Sequence, residues 1–281
     1  MKKYLLATVF LCFCVLMAQA QVKTPSASPF CKVEQSVGMT DVSIEYSRPS
    51  VKDRTIFGDL VPYDKKWRTG ANRATKIKFS TAVNVGGVDI EAGQYALYTM
   101  PGASSWTIYF YTDTSGGGVP AEWDDAKVAA NIKVKPMKSG RTQESMLINL
   151  NNLRNDSATI DLCWANTVVA IPLTVPSDEI VMKSIDQTMA GPSANDYYNA
   201  ARYYRESGKD LNKALVWMDK SLEMNGDRFW TLRQKALLLA DMGQMDKAIE
   251  VAKKSMEMAK EAGNDDYVKN NTKSIEKWMK K

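Results

Sequence analysis

The 281-residue sequence contains no histidine. That absence excludes Ser-His-Asp and Cys-His nucleophile pairs, the H-E-x-x-H zinc-protease helix and any metal centre built on imidazole. Acid–base chemistry would have to run on Asp, Glu, Lys, Tyr or Cys. Cysteine is scarce as well, with four in all, and two of those, Cys12 and Cys14, fall in the first apolar stretch. An excess of charge of one sign is also missing: 37 basic residues stand against 32 acidic ones. Beyond the N-terminus there is no apolar run near the roughly 20 residues that span a bilayer. What remains is 44% apolar and 25% charged, a globular composition long enough for one large or two ordinary domains.

The N-terminal stretch reads as an export signal over residues 1–20. Lys2 and Lys3 form a positive start, Leu5 to Met17 is apolar, and Ala18-Gln19-Ala20 is a small-x-small site, so cleavage is expected between Ala20 and Gln21. Cys12 and Cys14 lie inside the apolar stretch and lack the context of a lipid-modified cysteine. The expected product is soluble, periplasmic or extracellular, with no transmembrane segment after the signal is removed. Loss of Lys2 and Lys3 leaves 35 basic against 32 acidic residues. The surplus is not concentrated, which disfavours nucleic acid. Cys31 and Cys163 would survive processing. In an oxidising compartment they are a possible disulfide; small apolar fillers on two strands are the other reading.

From Cys31 to Val175 apolar residues alternate with period two between Gly, Pro, Asn and Asp punctuation. Val42-x-Ile44-x-Tyr46, Ile77-x-Phe79, the Gly86-Gly87 turn, Gln94 to Met100 and Trp106-x-Ile108-x-Phe110 give strands, followed by Ile132 to Val134, Met146 to Leu150, Thr159 to Trp164 and Val168 to Val175. Nine or ten short strands without a crossover helix point to an antiparallel sandwich or barrel, of which an all-β antiparallel sandwich domain over 28–175 is the expectation. From Asp178 the period becomes helical, which predicts a linker helix over 178–190 ended by Gly191-Pro192.

The rest is a repeat. Lys213-Ala214-Leu215 and Lys247-Ala248-Ile249 lie 34 residues apart, as do Ser221 and Ser255, and Gly208 and Gly243 end the first helix of each unit. This resembles the tetratricopeptide repeat and predicts a small all-α tetratricopeptide-like helical domain over 194–281, capped by a helix from Asp265 to Lys280. Such stacks offer a surface to protein partners. Asn195, Tyr198, Arg202, Arg205, Arg233 and Gln234 are the candidate partner-binding residues.

The most distinctive stretch runs from Tyr46 to Thr75, thirty residues with little periodicity that include Ser47-Arg-Pro-Ser-Val-Lys-Asp-Arg54 and Trp67-Arg-Thr-Gly-Ala-Asn-Arg-Ala-Thr75. Followed by Lys76-Ile-Lys-Phe-Ser-Thr81 and Ala92-Gly-Gln-Tyr-Ala-Leu-Tyr-Thr-Met-Pro101, it resembles the exported bacterial family called domain of unknown function 2911, over about Ser28 to Val175. The usual Val-Lys-Gly-Arg is here Val51-Lys52-Asp53-Arg54. The resemblance implies no activity. Physically, Arg48, Lys52, Arg54, Arg68 and Arg73 around Tyr63, Trp67 and Asn72 suit a glycan or anionic small molecule. Alternatively, the arginines bond loop carbonyls or Asp53, Asp59 and Asp64, and Trp67 plugs one end of the sandwich.

No pair among Asp53, Asp59, Asp64, Glu34 and Glu45 has a spacing that marks a catalytic acid and base, so the sequence assigns no catalytic residue, cofactor or metal. Gly116-Gly117-Gly118 lacks the Gly-Lys-Ser/Thr of a phosphate loop. Asn155-Asp156-Ser157-Ala158 fits a turn, and also an acceptor for glycosylation at Asn155 or Ser157. The leading reading is a non-catalytic binding or scaffolding protein of the cell envelope acting through its helical repeats. The alternative is a ligand- or carbohydrate-binding sheet domain, or less readily a carbohydrate-active enzyme, using loop 46–75.

Overall fold

The computed structural model of the chain describes residues 24–189 and 191–280. The expected signal and its cleavage site at Ala20–Gln21 lie outside them. The chain divides into two compact units at Asp178/Glu179.

The first unit is built from ten antiparallel strands. A six-stranded sheet contains β1 (Phe30–Val37), β2 (Thr40–Ser47), β3 (Thr75–Phe79), β6 (Gly93–Met100), β7 (Trp106–Tyr111) and β8 (Val128–Val134), in the order β1-β2-β3-β6-β7-β8. A four-stranded sheet contains β4 (Val83–Val85), β5 (Val88–Ile90), β9 (Met137–Asn151) and β10 (Ser157–Thr174), in the order β5-β4-β10-β9. The alternation explains the sandwich. Val42, Ile44, Ile77, Phe79, Leu97, Ile108 and Phe110 point in from one sheet, and Ile148, Ile160, Leu162, Trp164, Val169 and Ile171 from the other, forming one core.

The stretches at Thr159 and Val168, expected as separate strands, are a single strand. The polar Ala165-Asn166-Thr167 interruption is absorbed by register shifts against β9, with Ala165 at φ 49. β9 likewise starts at Met137 rather than at Met146.

Cys31 and Cys163 are free thiols. On β10 the inward residues are Ile160, Leu162 and Trp164, so Cys163 between them faces out of the sandwich, whereas Cys31 packs against its core. The period-two rule thus puts the two thiols on different sides of the second sheet, where no disulfide can form.

Six helices follow: α1 (Ser177–Thr188), α2 (Ala194–Glu206), α3 (Leu211–Asn225), α4 (Phe229–Asp241), α5 (Met245–Glu261) and α6 (Asp265–Trp278). α1 presents Val181, Met182 and Ile185 to α2 and α3. α2 starts from a capping box between Ser193 and Asp196. Gly208 and Gly243 fall just after α2 and α4 with φ 62 and 77, where the left-handed region ends a helix. Ala201, Ala214, Ala236 and Ala248 are fully buried and let the paired helices approach closely. No helix among the described residues is long and apolar enough to cross a membrane.

Candidate functional site

Loop 46–75 is tightly built. It holds five of the seven non-glycine residues with positive φ among the described residues: Lys52, Asp53, Asp64, Thr69 and Asn72. Thr69 is the most constrained, because a β-branched residue at φ 55 is disfavoured. Its carbonyl accepts from Thr75 Oγ1 at 2.5 Å and its hydroxyl bonds Thr99 Oγ1 at 3.1 Å, all three side chains being buried.

The loop does not gather its cations into one concavity. Arg48 Nε donates to the Met146 carbonyl at 2.7 Å, and Arg54 donates to the Val51 and Ser50 carbonyls at 2.9 and 2.6 Å. Lys52 is exposed, its backbone N–H bonded to Glu144 Oε1. Asn72 Nδ2 donates to Ser28 O and Ser47 Oγ, an anchoring role. Arg73 is exposed. Tyr63 packs on Gly58 beside a shallow cleft of about 330 Å³ with Arg54, Phe57, Thr142 and Asn166. The indole of Trp67 stacks on Trp164 at 5.8 Å and 18°, meets Phe57 edge-on at 6.3 Å, and donates Nε1–H to Gly70 O. It closes the end of the core.

Trp67 pairs with Thr99 on β6 in an isolated antiparallel bridge. Because Trp67 points in, Lys66 and Arg68 point out. The Lys66 ammonium lies 4.6 Å from the Trp123 ring centroid. Arg68 lies beside Gly118, whose carbonyl accepts from the Tyr98 hydroxyl at 2.9 Å. Arg68 Nε is buried with no hydrogen-bond partner among the described residues.

On this outer face Tyr98, Tyr109 and Tyr111 are buried beneath Trp123. Trp123 is carried by a loop over 112–127 whose ends are joined by Thr112 N–H to Lys127 O and by the Lys127–Asp113 ion pair at 3.0 Å. Hydrogen bonds from the Ser115 hydroxyl, then Lys127, hold the Asp113 carboxyl well below the usual carboxylate range. Beyond the aromatic platform the face opens into a groove of about 630 Å³ over β1, β2, β3 and the start of β6.

The helical unit brings a second set together. Arg205 on α2 reaches α4, bonding Asp241 at 3.2 Å and Gln234 at 3.3 Å, while its Nε is buried without a partner. Arg233 on α4 reaches α6, donating to Asn271 Oδ1 at 2.8 Å and lying 3.5 Å from Ser274 Oγ. Asn271 in turn donates to Ser255 Oγ. The first helix of each pair therefore shares one surface. Burial, together with nearby Arg205, pulls the Arg233 guanidinium below its ordinary pKa. Both arginines are half-buried rather than exposed, and Arg233 has no carboxylate within ion-pair distance among the described residues. Tyr198 is half-buried beside Arg202, whose Nε pairs with Glu206 at 2.7 Å, and Asn195 is exposed at the start of α2.

Sequence reasoning missed Lys66, Tyr98, Trp123, Asn271 and Ser274. The Lys76-Ile77-Lys78 alternation was the one available sign of an outward basic row. Among the described residues no cluster of three acidic or thiol side chains could hold a metal ion. A search of the curated proteins finds no match to this chain. The family model described as a protein of unknown function, DUF2911, matches residues 28–173, just over half of the chain, which therefore belongs to that family.

Proposed function

We propose that this chain is an exported, non-catalytic binding protein whose helical unit docks an extended acidic segment of a protein partner. Arg233 carries the reading. A guanidinium half-buried in a helical stack normally has a carboxylate beside it, since an unpaired charge is costly to desolvate. Here its partners are the neutral Asn271 and Ser274, and the neighbouring charge is another arginine. Arg205 is already paired with Asp241 and Glu206, so Arg233 is the guanidinium whose electrostatics improve when an anion arrives. Tyr198 and Gln234 lie on the same surface to hydrogen-bond a backbone.

Export rests on the basic, apolar and small-x-small pattern of residues 1–20. The N-terminal sequence of the secreted chain tests it and should begin at Gln21. Docking is tested by capture from envelope extract with wild type and with Arg205→Gln/Arg233→Gln. The double variant should lose the proteins that wild type retains. Identical captures would exclude the arginine surface.

A further inference from the structure

A file of basic side chains runs down one lane of the six-stranded sheet on its outer face. The register fixes it. Trp67 opposite Thr99 puts Lys66 beside Met100 and Arg68 beside Tyr98, while Lys76 is paired with Ala96 and Lys78 with Gln94. Met100, Tyr98, Ala96 and Gln94 are successive residues of one face of β6, so the four cations follow one another over about 20 Å, from 3.4 Å per strand residue. Arg68, Lys76 and Lys78 have no carboxylate within 4.0 Å among the described residues, and Lys66 faces only aromatic rings. Like charges at two-residue spacing repel one another, while Glu45 stands opposite Lys76 in the register as the acidic neighbour of the file.

The flanks of the file define the ligand. On one side Lys76 and Lys78 are paired in register with Glu45 and Ser43 of β2, and Glu34 and Gln94 complete the groove of about 630 Å³. Glu34 and Glu45 share Lys32, at 2.6 and 3.9 Å, and keep free acceptor lone pairs. A surface that alternates unpaired ammonium groups with carboxylate, amide and hydroxyl acceptors matches a chain that carries anions at intervals and hydroxyls between them. A phosphodiester chain offers at most one free hydroxyl per anion, too few for the acceptors of Glu34, Asp41 and Glu45 that line the groove. It would also look for open aromatic faces, whereas Tyr98, Tyr109 and Tyr111 are buried under Trp123.

We propose that the outer face of the six-stranded sheet, along Arg68, Lys76 and Lys78, binds an acidic polysaccharide laid parallel to β3. The site belongs to the sheet unit and does not depend on the reading of the helical unit.

The test is affinity electrophoresis of the full mature chain through gels containing polygalacturonate, with neutral dextran as the comparison polymer. Wild type should be retarded by polygalacturonate and not by dextran, and the retardation should fall as salt is raised. Lys76→Gln/Lys78→Gln should weaken binding about tenfold, as expected for two charge-assisted contacts, while Lys277→Gln/Lys280→Gln, an equal loss of charge at the C-terminal helix, should leave it unchanged. Both lysines of the first pair project from the sheet surface, so the variant should keep the wild-type circular dichroism; if it does not fold, Arg68→Gln takes its place. No retardation by polygalacturonate, equal retardation by dextran, equal weakening by the two double variants, or displacement by a short single-stranded oligonucleotide at lower concentration than by oligogalacturonate would each overturn the proposal.

Discussion

The Tyr46 hydroxyl donates to the Ile148 carbonyl at 3.1 Å and accepts from the Ile148 N–H at 2.9 Å. Tyr46 stands on β2 of one sheet and Ile148 on β9 of the other, so a single phenol joins the two layers. Tyr46→Phe keeps the ring and leaves both backbone groups unpaired in the interior, which is expected to cost about 2 kcal/mol. Urea unfolding of the two chains measures it.

The same residue predicts an alkaline limit. Burial raises the Tyr46 phenol to about 12 from 10, against a smaller opposing effect of its bond to Ile148. A raised folded-state value means that the contribution is complete below the unfolded value near 10 and is lost as pH climbs through 12. Tyrosinate absorbance should therefore keep a late component coincident with loss of near-ultraviolet circular dichroism; burial also raises Tyr95, Tyr98, Tyr109 and Tyr198, so Tyr46→Phe should reduce that component without abolishing it.

Two glycines of similar backbone conformation should respond differently to alanine. Gly38, at φ 54, leaves a side chain no room, since a Cβ would collide with Ser177 Oγ and the Asn155 carbonyl. Gly87, at φ 95 in the β4–β5 turn, has nothing within 4 Å. Gly87→Ala is expected to lose about 1 kcal/mol through conformation alone, and Gly38→Ala about 3 kcal/mol or more as backbone is displaced. Thermal melts should separate them clearly.

The cysteines give a simple chemical test. With Cys163 facing away from the interior that Cys31 lines, the melting temperature should be the same with and without reductant, and both thiols should react with a thiol reagent once the chain is unfolded without reduction. A reductant-sensitive melt would contradict the side-chain directions on β10.

The parts of this architecture that could be read in advance were those governed by a repeat distance. Ile77 and Phe79 announce a strand because the two faces of a sheet meet different environments, and Ala214 and Ala248 announce stacked helices because only small residues fit a close crossing. Thirty residues of irregular chain obey no period, so nothing local indicates that Arg48 meets a carbonyl 98 positions away. Lys66, Trp67 and Arg68 acquire directions only once Trp67 pairs with Thr99, a contact set by the whole sandwich. Of the two readings left open for Cys31 and Cys163, a disulfide depends on proximity between two sheets, whereas the neighbours Leu162 and Trp164 on β10 fix the outward position of Cys163. The repeat spacing places Arg205 and Arg233 in the first helices of successive units, but their half-burial and the missing carboxylate at Arg233 depend on the approach of α4 to α6.

Arg233 has no carboxylate within ion-pair distance among the described residues, and in the proposed docking a partner supplies one. The most direct measurement selects binders of the chain from Gln21 to Lys281 from a random twelve-residue peptide library and compares their affinities for wild type and Arg233→Gln by calorimetry. The expected binders are rich in Asp and Glu and weaken about tenfold with Arg233→Gln, as for loss of one charge-assisted contact, while the melting temperature holds or rises because repulsion from Arg205 is relieved. Binders without acidic residues whose affinity ignores the substitution, or no binders at all, would contradict it.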